Sequence, residues 1–111
     1  TIKNFEQIID SINEKELLDF KNIINNPEVD LDDLTKLKEQ FEEVYKISKA
    51  EFDSVIRRVF SGDIESTNTI EESLEIERTV YSTSLEKINL INERIQELEL
   101  ELELDNNDLT I

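Results

Sequence analysis

Three observations predict an all-α protein, an elongated helical bundle of three to four helices, two of them long and antiparallel. The chain has 111 residues with one Gly and one Pro, so turns and sheet connections have few residues to be made from. Apolar residues recur at steps of three and four over long stretches, which is the spacing of one helix face. Capping residues stand where those stretches begin and end.

Phe5, Ile8, Ile9 and Ile12 form a first stripe, and Leu17, Leu18, Phe20 and Ile24 form a second one offset in phase. Segment 4–25 is therefore one kinked helix or two short ones. It stops at Asn25-Asn26-Pro27, where Pro cannot continue a helix and biases the residue before it to extended geometry.

Asp30 is an N-cap, with Asp32 and Asp33 as first-turn carboxylates that suit the positive helix end. A helix starts at Leu31. Leu34, Leu37, Phe41, Val44, Ser48, Phe52, Val55 and Val59 carry its stripe over about eight turns without Gly or Pro. Arg57 and Arg58 in the last turn, and Gly62 in the left-handed cap position, place the stop at Phe60 to Gly62.

Thr69 and Glu72 have capping-box spacing, so the last helix is expected from Ile70. Its seam reads Leu74, Glu77, Tyr81, Ser84, Ile88, Ile91, Ile95, Leu98 and Leu102, alternating by three and four as a coiled-coil contact does. Glu77 and Ser84 interrupt it, while Leu85 widens the stripe beside Tyr81. From Leu98 to Leu104 the chain alternates Leu and Glu, a period of two that taken alone signals a strand. Leu and Glu are helix formers, and no second strand exists to pair with, so the segment reads as helix fraying after Leu104, with an added strand as the alternative. The domain reading is a single helical domain over 1–104 and a disordered acidic tail over 105–111.

Helices over 31–60 and 70–104 are roughly 45 and 52 Å long, whereas a compact domain of this size has a radius of gyration near 13 Å, roughly. The molecule must be elongated. Segment 4–25 lies on the long hairpin as a third partner, and the final helix outreaches it. Ile91, Ile95, Leu98 and Leu102 are then expected to project beyond the bundle, exposed in a monomer.

Charge excludes several functions. There are 12 Lys plus Arg against 28 Asp plus Glu, for a net charge of −16, with no His and no Cys. Imidazole bases, thiolate nucleophiles and nitrogen or sulfur ligand sets are absent from the composition. One Gly leaves no phosphate-cradling loop, and the acidity repels nucleic acid and anionic membrane surfaces. No apolar run spans a bilayer and no basic-then-apolar leader opens the chain, so the expected location is the cytoplasm. Glu28, Asp30, Asp32 and Glu39 have the spacing of calcium-loop ligands, but Asp33 stands where the loop needs Gly. The cap reading explains these acids. No carboxylate pair is distinguished among the acids and no Ser has a base partner, so catalytic, cofactor-binding and metal residues are all read as none.

The acidity is uneven. Residues 1–61 carry 14 acids and 9 bases, whereas 62–111 carry 14 acids and 3 bases. No base lies between Ile95 and Ile111, so parallel self-pairing there sets like charges together.

Two family likenesses lie in the chain. Glu14 to Tyr45, with Glu16-Leu17-Leu18 and Phe41-Glu42-Glu43, is similar to the first two helices of nuclease-colicin immunity proteins, but the Tyr-Tyr-Pro segment of that family is absent. Phe60-Ser61-Gly62 between two long helices resembles the turn of small secreted Trp-x-Gly hairpins, with Phe in place of Trp. Neither assigns a family.

The function read from the sequence is a non-enzymatic protein–protein interaction module, an adaptor, assembly chaperone or scaffold-like subunit, acting through its C-terminal coiled-coil helix. Tyr81, Leu85, Ile88, Ile91, Ile95, Leu98 and Leu102 are expected to supply burial against a protein partner or a second copy. Glu97, Glu99, Glu101 and Glu103 are expected to select orientation and partner. The alternative is an acidic inhibitor, a nucleic-acid mimic, antitoxin or immunity-type protein, that binds a basic protein surface. Neither reading has direct nucleic-acid or membrane contact.

Overall fold

The computed structural model describes the backbone of residues 2–109 and the side chains of residues 5 and 7–104. Three helices follow in order, α1 (Ile2–Ile24), α2 (Leu31–Phe60) and α3 (Asn68–Leu109), with no strand among the described residues. The bundle is elongated and all-α, as the periodicity requires.

Segment 4–25 forms one continuous helix as far as Ile24, with Asn25 in the turn that follows. Nothing between its two stripes breaks the backbone, so the phase slip changes only what is covered. Phe20 and Ile24 pack inward while Ile8, Ile12, Leu18 and Ile23 stay exposed. After Ile24 the Asn26 side chain accepts from the Glu28 N–H at 2.9 Å and its carbonyl accepts from the Val29 N–H at 3.0 Å, which turns the chain around Pro27.

At the start of α2 the Asp30 carboxylate accepts from the Asp33 N–H at 2.9 Å, and the Asp33 carboxylate accepts from the Asp30 N–H at 3.4 Å. This reciprocal cap satisfies two donors that a helix start leaves open. At the other end Ser61 N–H donates to the Arg57 carbonyl and Asp63 N–H to the Arg58 carbonyl, both at 2.9 Å, with Gly62 at φ +81°. A Cβ at Gly62 meets no atom within 4 Å, so the penalty for Gly62→Ala is backbone strain alone. It is expected to cost about 1 kcal/mol, visible as a lowered midpoint in urea unfolding with an unchanged slope.

Helix α3 is capped by Thr67, not by Thr69. Thr67 Oγ1 accepts from the Ile70 N–H at 3.2 Å and its carbonyl accepts from the Glu71 N–H at 2.9 Å. The turn closes two residues earlier than the Thr69 and Glu72 spacing implied, which puts Thr69 inside the first helical turn. The Leu–Glu alternation over 98–104 is helical, and α3 continues to Leu109, past the expected stop at Leu104. The end of the expected tail, Thr110 and Ile111, lies outside the described residues.

Helices α2 and α3 form an antiparallel hairpin, and α1 lies mainly on α3, running parallel to it. Helix α3 is thus the shared element. The radius of gyration is 18.9 Å and the extents are 68 × 27 × 16 Å, a long and flat body. A flat body covers little. Ile24, Leu34 and Ile91 form the buried cluster, one residue from each helix, with Phe20, Val29, Leu37, Phe41, Leu90, Ile95 and Leu98 packed around it. Among the described residues no helix is long and apolar enough to cross a membrane.

Candidate protein-binding surface

Two clusters along α3 fix how its faces are used. Nearer its start, Tyr81 meets Tyr45 and Phe52 edge-on, with ring centroids 6.1 and 5.4 Å apart. Lys49 sits 5.3 Å from the Tyr81 ring centre and pairs with Asp53 at 2.9 Å. That carboxylate holds the Lys49 ammonium above its ordinary range. Ser84, which interrupts the seam in the sequence, is buried and donates to the Val80 carbonyl at 2.8 Å. Its small size and this internal hydrogen bond let a polar residue sit in the buried part of the seam. Glu77 is half-buried, and desolvation, with Glu51 nearby, pushes its carboxyl above the usual range.

Nearer the other end, Lys87 reaches between α1 and α2. Its ammonium lies 2.6 Å from Glu16, 5.1 Å from the Phe41 ring centre and 5.5 Å from that of Phe20. Those two rings meet edge-on at 5.4 Å. The Lys87 side chain is only 12% exposed, so a residue that reads in sequence as a solvated charge joins three helices.

The seam faces inward. Ile88 and Ile91 are buried, Ile95 and Leu98 pack on the core, and Tyr81 is half-buried in the aromatic cluster. The expectation that Ile91, Ile95 and Leu98 project beyond the bundle is therefore corrected. Helix α2 begins at Leu31 and α1 ends at Ile24, close enough to the end of α3 to cover those residues. Of the expected contact residues, Leu85, Leu102, Glu97, Glu99, Glu101 and Glu103 face solvent.

What replaces the projecting seam is a consequence of winding a period-two run into a helix. At 100° per residue, Leu98 and Leu102 share one face, and Leu100 and Leu104 fall about 200° away on the other side. The Glu residues separate them in the same way, Glu97 and Glu101 on one flank and Glu99 and Glu103 on the opposite one. The first Leu ridge turns toward the α1–α2 connection, where Leu98 and Leu102 line an open groove with Pro27, Val29 and Leu31. The second has no such cover. Leu100 is 57% exposed and Leu104 56%, close to the 52% of Leu102. The helical reading of 98–104 holds, but the seam followed by steps of three and four took in only Leu98 and Leu102; Leu100 and Leu104 form a second ridge that the seam does not include.

The charge around these ridges is one-sided because no base follows Arg94, and the three bases of α3 each pair within the chain. Arg78 pairs with Glu75, Lys87 with Glu16 at 2.6 Å and Arg94 with Glu97 at 3.1 Å. Glu99, Glu101 and Glu103 are exposed and enter no ion pair among the described residues. The end of α3 thus offers leucines for burial and carboxylates for orientation. No grouping of three or more acids with metal-holding geometry is found among the described residues. No known protein family, curated protein or solved structure matches this chain.

Proposed function

We propose that the chain is a non-enzymatic protein–protein interaction module, an adaptor, assembly chaperone or scaffold-like subunit of the cytoplasm, that binds through the C-terminal end of α3. The observation that carries this reading is the pair of opposed leucine ridges, more than half exposed at Leu100, Leu102 and Leu104, flanked by Glu99, Glu101 and Glu103, which enter no ion pair among the described residues. Burying one such side chain contributes about 1.5–3 kcal/mol. A partner that covers Leu100 and Leu104 therefore gains enough to offset part of the entropy lost on association. Helix-on-helix contact is the mode that suits two residues at i and i+4. Glutamates on both flanks penalise a parallel second copy and favour an antiparallel copy or a basic partner.

A second reading, an acidic inhibitor of a basic protein, draws on the internal use of every base in α3. It differs in what holds the complex together. A photo-reactive phenylalanine analogue at Leu100 or Leu104 is expected to give a covalent adduct, with a protein or with a second copy, and the same analogue at exposed Ile47 on α2 is not. An adduct that survives high salt supports the leucine ridge as the main contact. An adduct lost steeply with salt supports the inhibitor reading, whose attraction is screened. No adduct from either position would sink both.

A further inference from the structure

The groove between the α1–α2 turn and the end of α3 has an apolar floor of Val29, Leu31, Leu98 and Leu102 beside Pro27, and a volume of about 460 Å³. Its rim is acidic, formed by Asp30, Asp32 and Glu101. We infer that this groove seats an amphipathic helix of a partner protein, with leucine-sized side chains on its apolar face and Lys or Arg along its flanks. The inference rests on the proposed binding role of the α3 end and names the chemistry of what binds there.

Charge decides the occupant. A second copy of this chain has no basic helix to offer: α1 holds 5 acids and 3 bases, α2 holds 7 and 6, and α3 holds 12 and 3. Each of them is net negative as a whole, so none brings the excess of bases that an acidic rim favours. The rim carboxylates are free to meet a cation. Asp32 pairs with Lys36 at 3.2 Å, but both side chains are largely exposed, and such a pair yields to a competitor because it contributes little. Asp30 keeps one oxygen on the Asp33 N–H and has a second to give. Glu101 enters no ion pair among the described residues. The floor adds what an acidic patch alone lacks, because Leu98 and Leu102, one turn apart on α3, fit side chains spaced three or four residues apart on a partner helix.

The test titrates ¹⁵N-labelled full chain with a synthetic helical peptide of Leu and Lys, its leucines on one face. The expected result is saturable shifts concentrated at the amides of Val29, Leu31, Leu98 and Leu102. Leu102→Ser is expected to weaken binding about tenfold, and so is raising the salt from low to about 0.3 M. Leu102 is half exposed, so that variant keeps the fold, which circular dichroism checks. A peptide with Ser in place of Leu and unchanged charge should bind far more weakly. Equal binding by that peptide, shifts spread along all acidic residues of α3, or concentration-dependent dimers seated in the groove would each overturn the inference. If the analogue at Leu100 or Leu104 captures a partner while the Leu/Lys peptide ignores the groove, the proposed function stands and this inference alone falls. If neither is seen, both fall.

Discussion

An Ile91→Asp chain is expected to lose its cooperative thermal transition and most of its tertiary structure at 25 °C. Ile91 is 0% exposed and meets Ile24 and Leu34, so one position serves all three helices. Losing the isoleucine removes about 1.5–3 kcal/mol of burial, and a carboxylate placed there without a partner costs several kcal/mol more, roughly, or takes up a proton instead. Ordinary domains have only about 5–15 kcal/mol in total. A flat bundle with so few fully buried side chains sits toward the lower end of that range. Both packing surfaces of α3 run through this point, and neither α1 nor α2 has a sufficient alternative partner. The check is a thermal melt followed by helical and near-ultraviolet dichroism. Leu104→Asp, at an exposed position, serves as the control and should melt within a few degrees of the parent, roughly. A parent-like melt for Ile91→Asp would show that the three helices do not share this core. By the same reasoning a charge at Ile95, which packs on that core, reads folding and not association.

Lys87→Glu is expected to cost about 3 kcal/mol, an unusual penalty for a lysine. The ammonium stands over two aromatic rings, Phe20 and Phe41, at 5.5 and 5.1 Å, where each cation–ring contact contributes about 0.5–2 kcal/mol depending on exposure. The ion pair with Glu16 is discounted, since Glu16 is half exposed and such pairs are worth at most about 1 kcal/mol. Reversing the charge removes all three attractions and sets two carboxylates together. Lys87→Met keeps the buried stem and should lose about half as much. The double variant Glu16→Lys with Lys87→Glu restores the ion pair but not the ring contacts, so it should recover only a minor part of the stability. Recovery to the parent midpoint in urea would show that the ion pair, not the rings, holds α1 in place.

These two residues show where sequence reading reaches its limit. Lys87 is one of three bases on the most acidic helix, and in sequence nothing separates it from Arg78 or Arg94. Its neighbours over the rings come from α1 and α2, residues 67 and 46 positions away, and helical periodicity carries no information at that range. Ile91 was legible as a seam residue but not as a core residue. A stripe at steps of three and four looks the same whether it packs within the chain or against another molecule. Leu100 and Leu104 lie off that stripe, about 200° round the helix from Leu98 and Leu102 respectively, so following the seam by steps of three and four leaves them unmarked even with the segment read as helix.

By itself the sequence determined the all-α class, the elongation, the start of α2 at its Asp30 cap and its stop before Gly62. Each of these follows from interactions within a few residues: backbone donors met by a neighbouring carboxylate, a glycine free to take positive φ, and apolar side chains one turn apart. Only the tertiary structure decided that α1 runs unbroken, that the seam of α3 from Ile88 to Leu98 is consumed inside the molecule, and that Leu100, Leu102 and Leu104 beyond it stay more than half exposed. Those outcomes depend on where the ends of α1 and α2 fall along α3. That placement is set by packing between helices far apart in the chain, whose buried areas must be balanced together.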